Sequence, residues 1–265
     1  MVKDMLKSVT RIALVALIAV ELVGIFAIDA LMFHPERVRE TYDATWKGYV
    51  DIGTEGERIA AVALGPERGK KAILRCHGNA ENMFETLGEL RALAARGYTV
   101  AAVDYPGYGL SSGSPTEKGC YRNVHRLYDW LVKVRGFDPA DIIVNGFSIG
   151  TGPAVELAAT EKVGGLVLEA PFLSAARTVT KVRLLPIDPF SNATRVEKGI
   201  ACPMLIIHGT ADSVISFGQG KRLSEIARAN AGGFPRRFVE VDGADHNEIA
   251  AALGTDDYLR LFTEF

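Results

Sequence analysis

From about Tyr42 onward the chain alternates short apolar runs with longer stretches in which apolar residues recur every three or four positions. The short runs are "WKGYVDI" (Trp46–Ile52), "RIAAVAL" (Arg58–Leu64), "KAILRCH" (Lys71–His77), "YTVAAVD" (Tyr98–Asp104), "DIIVNGF" (Asp141–Phe147), "GLVLEA" (Gly165–Ala170), "PMLIIHG" (Pro203–Gly209) and "RFVEVDG" (Arg237–Gly243). Several are unbroken Val, Ile, Leu and Ala, which predicts strands buried on both faces of a parallel sheet. The first two, joined by the turn-like "GTEGE", read as an antiparallel pair. Helical spacing fills two gaps: Asn82–Gly97, with Leu87, Leu90 and Leu93 on one face, and Asn123–Gly136, with Val124, Leu127, Tyr128 and Leu131. Strand and helix in alternation predict one doubly wound α/β unit over 34–265, with about eight mostly parallel strands and helices on both faces.

Residues 1–33 follow a different pattern. Ile12 to Ile28 is apolar all round, with Glu21 as its single charge, and Lys3, Lys7 and Arg11 precede it. The run is at the short end of what spans a bilayer. It reads as a signal anchor, and the basic flank then predicts a catalytic domain on the outer side of the membrane. Arg37 and Arg39 after the run, and the cost of placing Glu21 in lipid, weigh against that reading. A cleaved signal peptide, or a helix that packs on the protein or on a second copy of it, are the alternatives.

Composition removes other classes. The formal net charge of −2 and the lack of any Lys/Arg-rich run give nucleic-acid binding no electrostatic support. Cys76, Cys120 and Cys202 are too scattered for a metal-ligand or disulfide pattern and read as buried thiols.

The chemistry centres on "NGFSIGTG" (Asn145–Gly152). A serine with glycine two positions away on each side, after a strand and before the helical run Thr151–Glu161, predicts a tight strand-to-helix elbow that lifts Ser148 above the sheet. A serine needs a base, and the base an orienting acid. His246 lies in the loop after the last strand and Asp212 just past the end of the strand before it. Singly, each is an ordinary loop residue. Together, in the order Ser148, Asp212, His246 and each at the end of its own strand, they predict a catalytic triad. Glu169 and Asp242 are alternative acids, and His208 reads as structural. The oxyanion formed in acyl transfer requires N–H donors. These are assigned to the backbone of Ile149 and, in the loop after the third strand, of Asn79.

The stretches "HGNAEN", "DYPGYGLSSG", "GFSIG", "HGTADSVI" and "GADHNEI" together resemble the α/β-hydrolase superfamily, specifically its small membrane-associated serine hydrolases of the abhydrolase-domain kind. The resemblance covers most of the chain after Cys76. It implies hydrolysis of esters or thioesters through an acyl-serine, with no metal or cofactor, and it places Tyr105 at the border of the site. Residues 172–200 then form a short cap, in which Phe172, Val182, Leu184, Leu185, Ile187 and Phe190 would roof an acyl pocket or pack on the sheet. Val214 is a further pocket candidate. The expected activity is hydrolysis of carboxylic esters with short to medium acyl chains. A membrane-associated thioesterase acting on acylated proteins or lipids is the alternative. A non-catalytic binding protein on the same fold is the rival from another class.

Overall fold

The computed structural model describes residues 48–175 and 188–263, preceded by 10–12, 15, 29–30, 32–35 and 46. Most of Ile12–Ile28 therefore lies outside the described residues, as do Val182, Leu184, Leu185 and Ile187 of the cap. Among the described residues no helix is long and apolar enough to cross a membrane.

The eight short apolar runs form one eight-stranded sheet. Its strands are β1 (Tyr49–Asp51), β2 (Ala60–Leu64), β3 (Ala72–Cys76), β4 (Thr99–Val103), β5 (Ile142–Phe147), β6 (Gly165–Glu169), β7 (Met204–Gly209) and β8 (Arg236–Val241). Their spatial order is β1-β2-β4-β3-β5-β6-β7-β8. β2 runs antiparallel to both β1 and β4, and the others pair in parallel. From β3 the chain moves outward to β4, then returns across β3 to β5. The loops leaving the C-terminal ends of β3 and β5 thus diverge, and the crevice between them is the usual ligand site of an open α/β sheet.

Side chains alternate between two cores, as a pleated strand requires. Leu74, Val144, Leu166, Leu168 and Ile206 face one, with Val124, Leu127, Val155, Leu157 and Leu223 from helices. Ile73, Val100, Ile143, Val167 and Leu205 face the other, with Leu90, Leu93, Leu259 and Phe262. Helices fully within the described residues include α1 (Leu87–Ala95), α2 (Glu117–Asp129), α3 (Thr151–Thr160), α4 (Asn192–Glu197), α5 (Phe217–Ala229), α6 (Ile249–Leu253) and α7 (Thr255–Thr263). Burial pushes the Cys76 and Cys202 thiols up to about 12, consistent with packed, unreactive groups.

Two helix boundaries differ from the periodicity. α1 starts five residues after Asn82 because polar side chains hold that stretch in turns: Asn82 Oδ1 accepts from Phe84 N, and Thr86 Oγ1 donates to Met83 O. α2 starts before Asn123, at Glu117, where Thr116 Oγ1 accepts from Gly119 N (3.0 Å). Its first turns are polar, so their hydrophobic pattern carries no helical signal.

One residue breaks the apolar rule inside the sheet. Arg75, central in β3 and buried, pairs with Glu169 and hydrogen-bonds Asn145, and its other terminal nitrogen reaches Glu89 of α1 (3.2 Å). The Tyr258 hydroxyl donates to both Glu89 and Glu169. Burial alone would pull the guanidinium down, but the carboxylates reverse it and hold Arg75 well above its ordinary value. Removing the cation strands buried carboxylates. Arg75→Met should therefore cost ~3–5 kcal/mol, read as a lower urea midpoint at unchanged slope.

Candidate active site

β5 ends at Phe147, and the next residue, Ser148, has φ +53°, a left-handed conformation that L-residues adopt at a cost of about 1–3 kcal/mol. A single 3₁₀ turn, Ser148–Gly150, leads directly into α3. Thr151 Oγ1 locks the turn by donating to Ser148 O (2.7 Å). Both flanking glycines have a steric cause. A Cβ on Gly146 would stand 2.8 Å from the Ala154 Cβ, blocking α3. A Cβ on Gly150 would collide with the carbonyls of Cys76 and His77 at the end of β3. The elbow is therefore wedged between its own helix and the neighbouring strand.

His246 and Asp212 meet this serine. His246 Nε2 lies 3.0 Å from Ser148 Oγ, and Nδ1 lies 2.8 Å from Asp212 Oδ2. With the proton on Nδ1 donated to the carboxylate, Nε2 is the acceptor for the serine hydroxyl. All three residues are buried. Asp212 Oδ1 also accepts from Val214 N (2.9 Å) and Ile215 N (2.7 Å). Burial pushes this carboxyl up, but hydrogen bonds from His208, His246 and the Ile215 N–H outweigh it and hold it well below the usual carboxylate range. Asp212 is thus ionised and fixed.

His208 stands behind the acid, as a structural residue should. Its Nε2 is 3.2 Å from Asp212 Oδ2 and 2.9 Å from Ile215 O, and the missing Cβ of Gly220 leaves room for its ring. The alternative acids are engaged elsewhere: Glu169 by Arg75, and Asp242 by the Thr210 hydroxyl (3.2 Å).

A further residue escaped the sequence reading. Asp245 Oδ1 accepts from Ser213 N, Ser213 Oγ (both 2.8 Å) and His246 N (2.7 Å), which staples the loop of the acid to the loop of the base. The Ser213 N–H holds its carboxyl below the ordinary value. The signal was its place beside His246 in "GADHNEI", but the partner lies in another loop. Phe147 packs against the His246 ring, with centroids 5.1 Å apart. Next to it opens a recess of about 310 Å³ lined by Phe147, His246, Asn247, Glu81, Glu85 and the Arg75 cluster.

The two predicted oxyanion donors lie on segments in contact. Ile149 is in the 3₁₀ turn that leads into α3, where N–H groups have no intrahelical acceptor. The loop after β3 packs on the elbow, since a Cβ on Gly78 would stand 2.9 Å from the Phe147 ring. In that loop the Gly78 N–H is taken by Glu81. The Asn79 carboxamide is also committed: it accepts from His34 N (2.9 Å) and Tyr108 OH (2.6 Å) and donates to Met32 O (2.7 Å). The Asn79 side chain is thus taken up, and its backbone N–H is the donor that the sequence assigns to the oxyanion.

The expected pocket residues differ in exposure. Tyr105 is buried, and its hydroxyl donates to His77 O (2.9 Å), so it braces the loop after β3. Phe172 is buried beside Phe190, with centroids 6.4 Å apart. Val214 projects its side chain into solvent at 61% exposure, and its contribution is the backbone N–H on Asp212. Among the described residues no group of three or more His, Cys, Asp or Glu could hold a metal ion.

Beneath the same loop, fully buried Asp104 accepts from Met83 N (2.9 Å) and faces His77 Nε2 at 3.8 Å. Burial raises the Asp104 carboxyl to about 7 and lowers the His77 imidazole to about 4. A carboxyl raised on folding favours the fold while protonated, and that contribution is lost as pH rises from its unfolded value near 4 through about 7. Asp104→Asn removes this loss. The difference in Tm between variant and wild type should therefore move in favour of the variant as pH is raised from 4 to 8, and a pH-independent difference would contradict the assignment.

Residues 71–190 match the α/β-hydrolase fold family. The human alpha/beta hydrolase domain-containing protein 17B is 36% identical over 202 residues, 74% of this chain and 67% of that protein. Alpha/beta hydrolase domain-containing protein aho-3 of Caenorhabditis elegans is 32% identical over 211 residues, 78% of this chain and 62% of its own. Among solved structures, the Pyrococcus furiosus esterase Pf2001 superposes with a TM-score of 0.70 at 19% identity, covering 87% of this chain and 97% of that one. The apo form of Thermogutta terrifontis esterase 2 does so with a TM-score of 0.68 at 20% identity, covering 86% and 96%. At such identities the structural likeness concerns the fold, whereas the sequence relationship to the 17B protein carries kinship: the chain belongs to the α/β-hydrolase family.

Proposed function

We propose that the protein is a serine hydrolase that cleaves carboxylic esters through an acyl-serine intermediate. The observation that carries this reading is the unbroken hydrogen-bond chain Ser148 Oγ–His246–Asp212, ending on an acid held ionised. Ser148 attacks the acyl carbon as its proton passes to His246 Nε2. The carbonyl oxygen becomes an oxyanion facing the N–H groups of Ile149 and Asn79. Collapse breaks the bond to the leaving oxygen, which takes the proton from His246. A water then attacks the acyl-serine, with His246 again as base, and releases the acid. The apolar run Ile12–Ile28 would hold this domain at a membrane, on its outer side by the charge rule.

A thioester substrate is the second reading. One feature favours it: the apolar run ends just before Met32–His34, whose backbone hydrogen-bonds Asn79 beside the elbow, so a lipid surface and its acylated proteins would lie near the site. The two readings differ in leaving group. A thiolate leaves with less help from an acid than an alkoxide does, because its conjugate acid is much the stronger.

A fluorophosphonate probe should label the wild type and fail on Ser148→Ala. Absence of labelling on folded wild type would remove the hydrolase reading and favour a binding protein on the same scaffold. Asp212→Asn should lower kcat by about 10⁴-fold, since the base loses its orienting anion. Parallel kinetics on p-nitrophenyl esters from acetate to palmitate and on acyl-cysteine thioesters should show the ester preference, and a strong thioester preference would reverse the order of the readings.

A further inference from the structure

The residues just before the catalytic unit dock on it at three places. The Asp29 carboxyl accepts from the Glu117 N–H at the start of α2, although burial and the Glu117 charge push its pKa up. Phe33, only 3% exposed, sets its ring edge-on to Phe190, with centroids 6.0 Å apart. Phe190 in turn touches Phe172 and Tyr121, and its ring fills the space that a Cβ on Gly152 of α3 would need. Between these anchors Met32 O accepts from Asn79 Nδ2 and His34 N donates to Asn79 Oδ1. The Tyr108 hydroxyl shares that oxygen (2.6 Å) and also lies 3.2 Å from His34 N.

An asparagine whose N–H is to meet an oxyanion has its side chain clamped, through both amide atoms, by a segment more than forty residues away. The following residue, Ala80, has φ +53°, so the loop is held away from its relaxed form. Gly78 N–H is already turned to Glu81. The aim of the Asn79 N–H thus depends on the clamp.

We infer that Asp29 and Met32–His34 form a strap that positions the oxyanion loop: Asn79 is a positioning residue through its carboxamide, and Phe33 and Asp29 hold the strap that grips it. The inference rests on the acyl-serine reading. It makes turnover sensitive to any movement of the N-terminal segment, because a donor displaced by about 1 Å loses on the order of 100-fold in rate.

The test uses the full chain with p-nitrophenyl acetate, every rate being divided by the serine titrated in the fluorophosphonate burst. Asn79→Ala and Phe33→Ala should each lower kcat by about 10- to 100-fold with KM changed less than about twofold, since the lost interaction belongs to the transition state. The double variant should be no slower than the slower single, as expected of residues acting in series. Tyr108→Phe, which removes one donor to Asn79, should fall between wild type and Asn79→Ala. A variant that is merely unstable loses titratable serine while each remaining site keeps its rate. Wild-type kcat per site in Asn79→Ala, or losses that multiply in the double variant, would overturn the strap. Wild type that never titrates would instead overturn the hydrolase reading, and the strap is then judged by amide hydrogen exchange of residues 78–82. Exchange about tenfold faster in Phe33→Ala supports it, and unchanged exchange rejects it.

Discussion

The site is organised by one steric constraint: β5 must become α3 within the single turn Ser148–Gly150 while that turn is pressed against the end of β3. Space for a side chain is absent at Gly146, where α3 crosses, and at Gly150, where the carbonyls of Cys76 and His77 press in. The chain meets the constraint by forcing Ser148 into a left-handed conformation. The same contact brings the loop after β3 beside the first N–H groups of α3, so the elbow both raises the hydroxyl and assembles the place where negative charge would gather. The conformational cost at Ser148 is sustained because Thr151 Oγ1 holds its carbonyl and the glycines on either side are packed against α3 and the end of β3.

Around that centre, charge is kept in place by partners of the right kind. Asp212 remains an anion although buried, because two imidazoles and two backbone N–H groups converge on it. Asp104 has only backbone donors and an imidazole at 3.8 Å, so burial wins and its carboxyl rises to about 7. Arg75, with Glu89 and Glu169, shows the third solution, a buried cation that offsets carboxylates which would otherwise be stranded. These are three outcomes of one competition between desolvation and local compensation, each within reach of the loops that shape the site.

The strap extends the site beyond the sheet. Asp29, Phe33 and the backbone around Met32 tie the stretch that follows the apolar run to α2, to Phe190 and to Asn79. Such an attachment offers a way for the surroundings of the N-terminal segment to bear on the chemistry without altering a reacting group.

The sequence by itself determined the sheet, the elbow and the order of serine, acid and base. Each of these is local: a run of Val and Ile marks a buried strand, and glycine at fixed offsets marks a turn with no room for a Cβ. The C-terminal end of a strand marks where a functional loop begins. Even the polar start of α2 had its local sign in Thr116, although hydrophobic period could not register it. The tertiary structure alone decided which groups share a hydrogen bond across distant loops. Asp245 reaches Ser213, His208 supports Asp212, Tyr105 holds His77 O, the Val214 N–H meets Asp212, and Asn79 belongs to Met32 and His34. Such pairings depend on how loops converge once the sheet has formed, and a hydrogen bond of 2.7–3.2 Å leaves no trace in spacing along the chain.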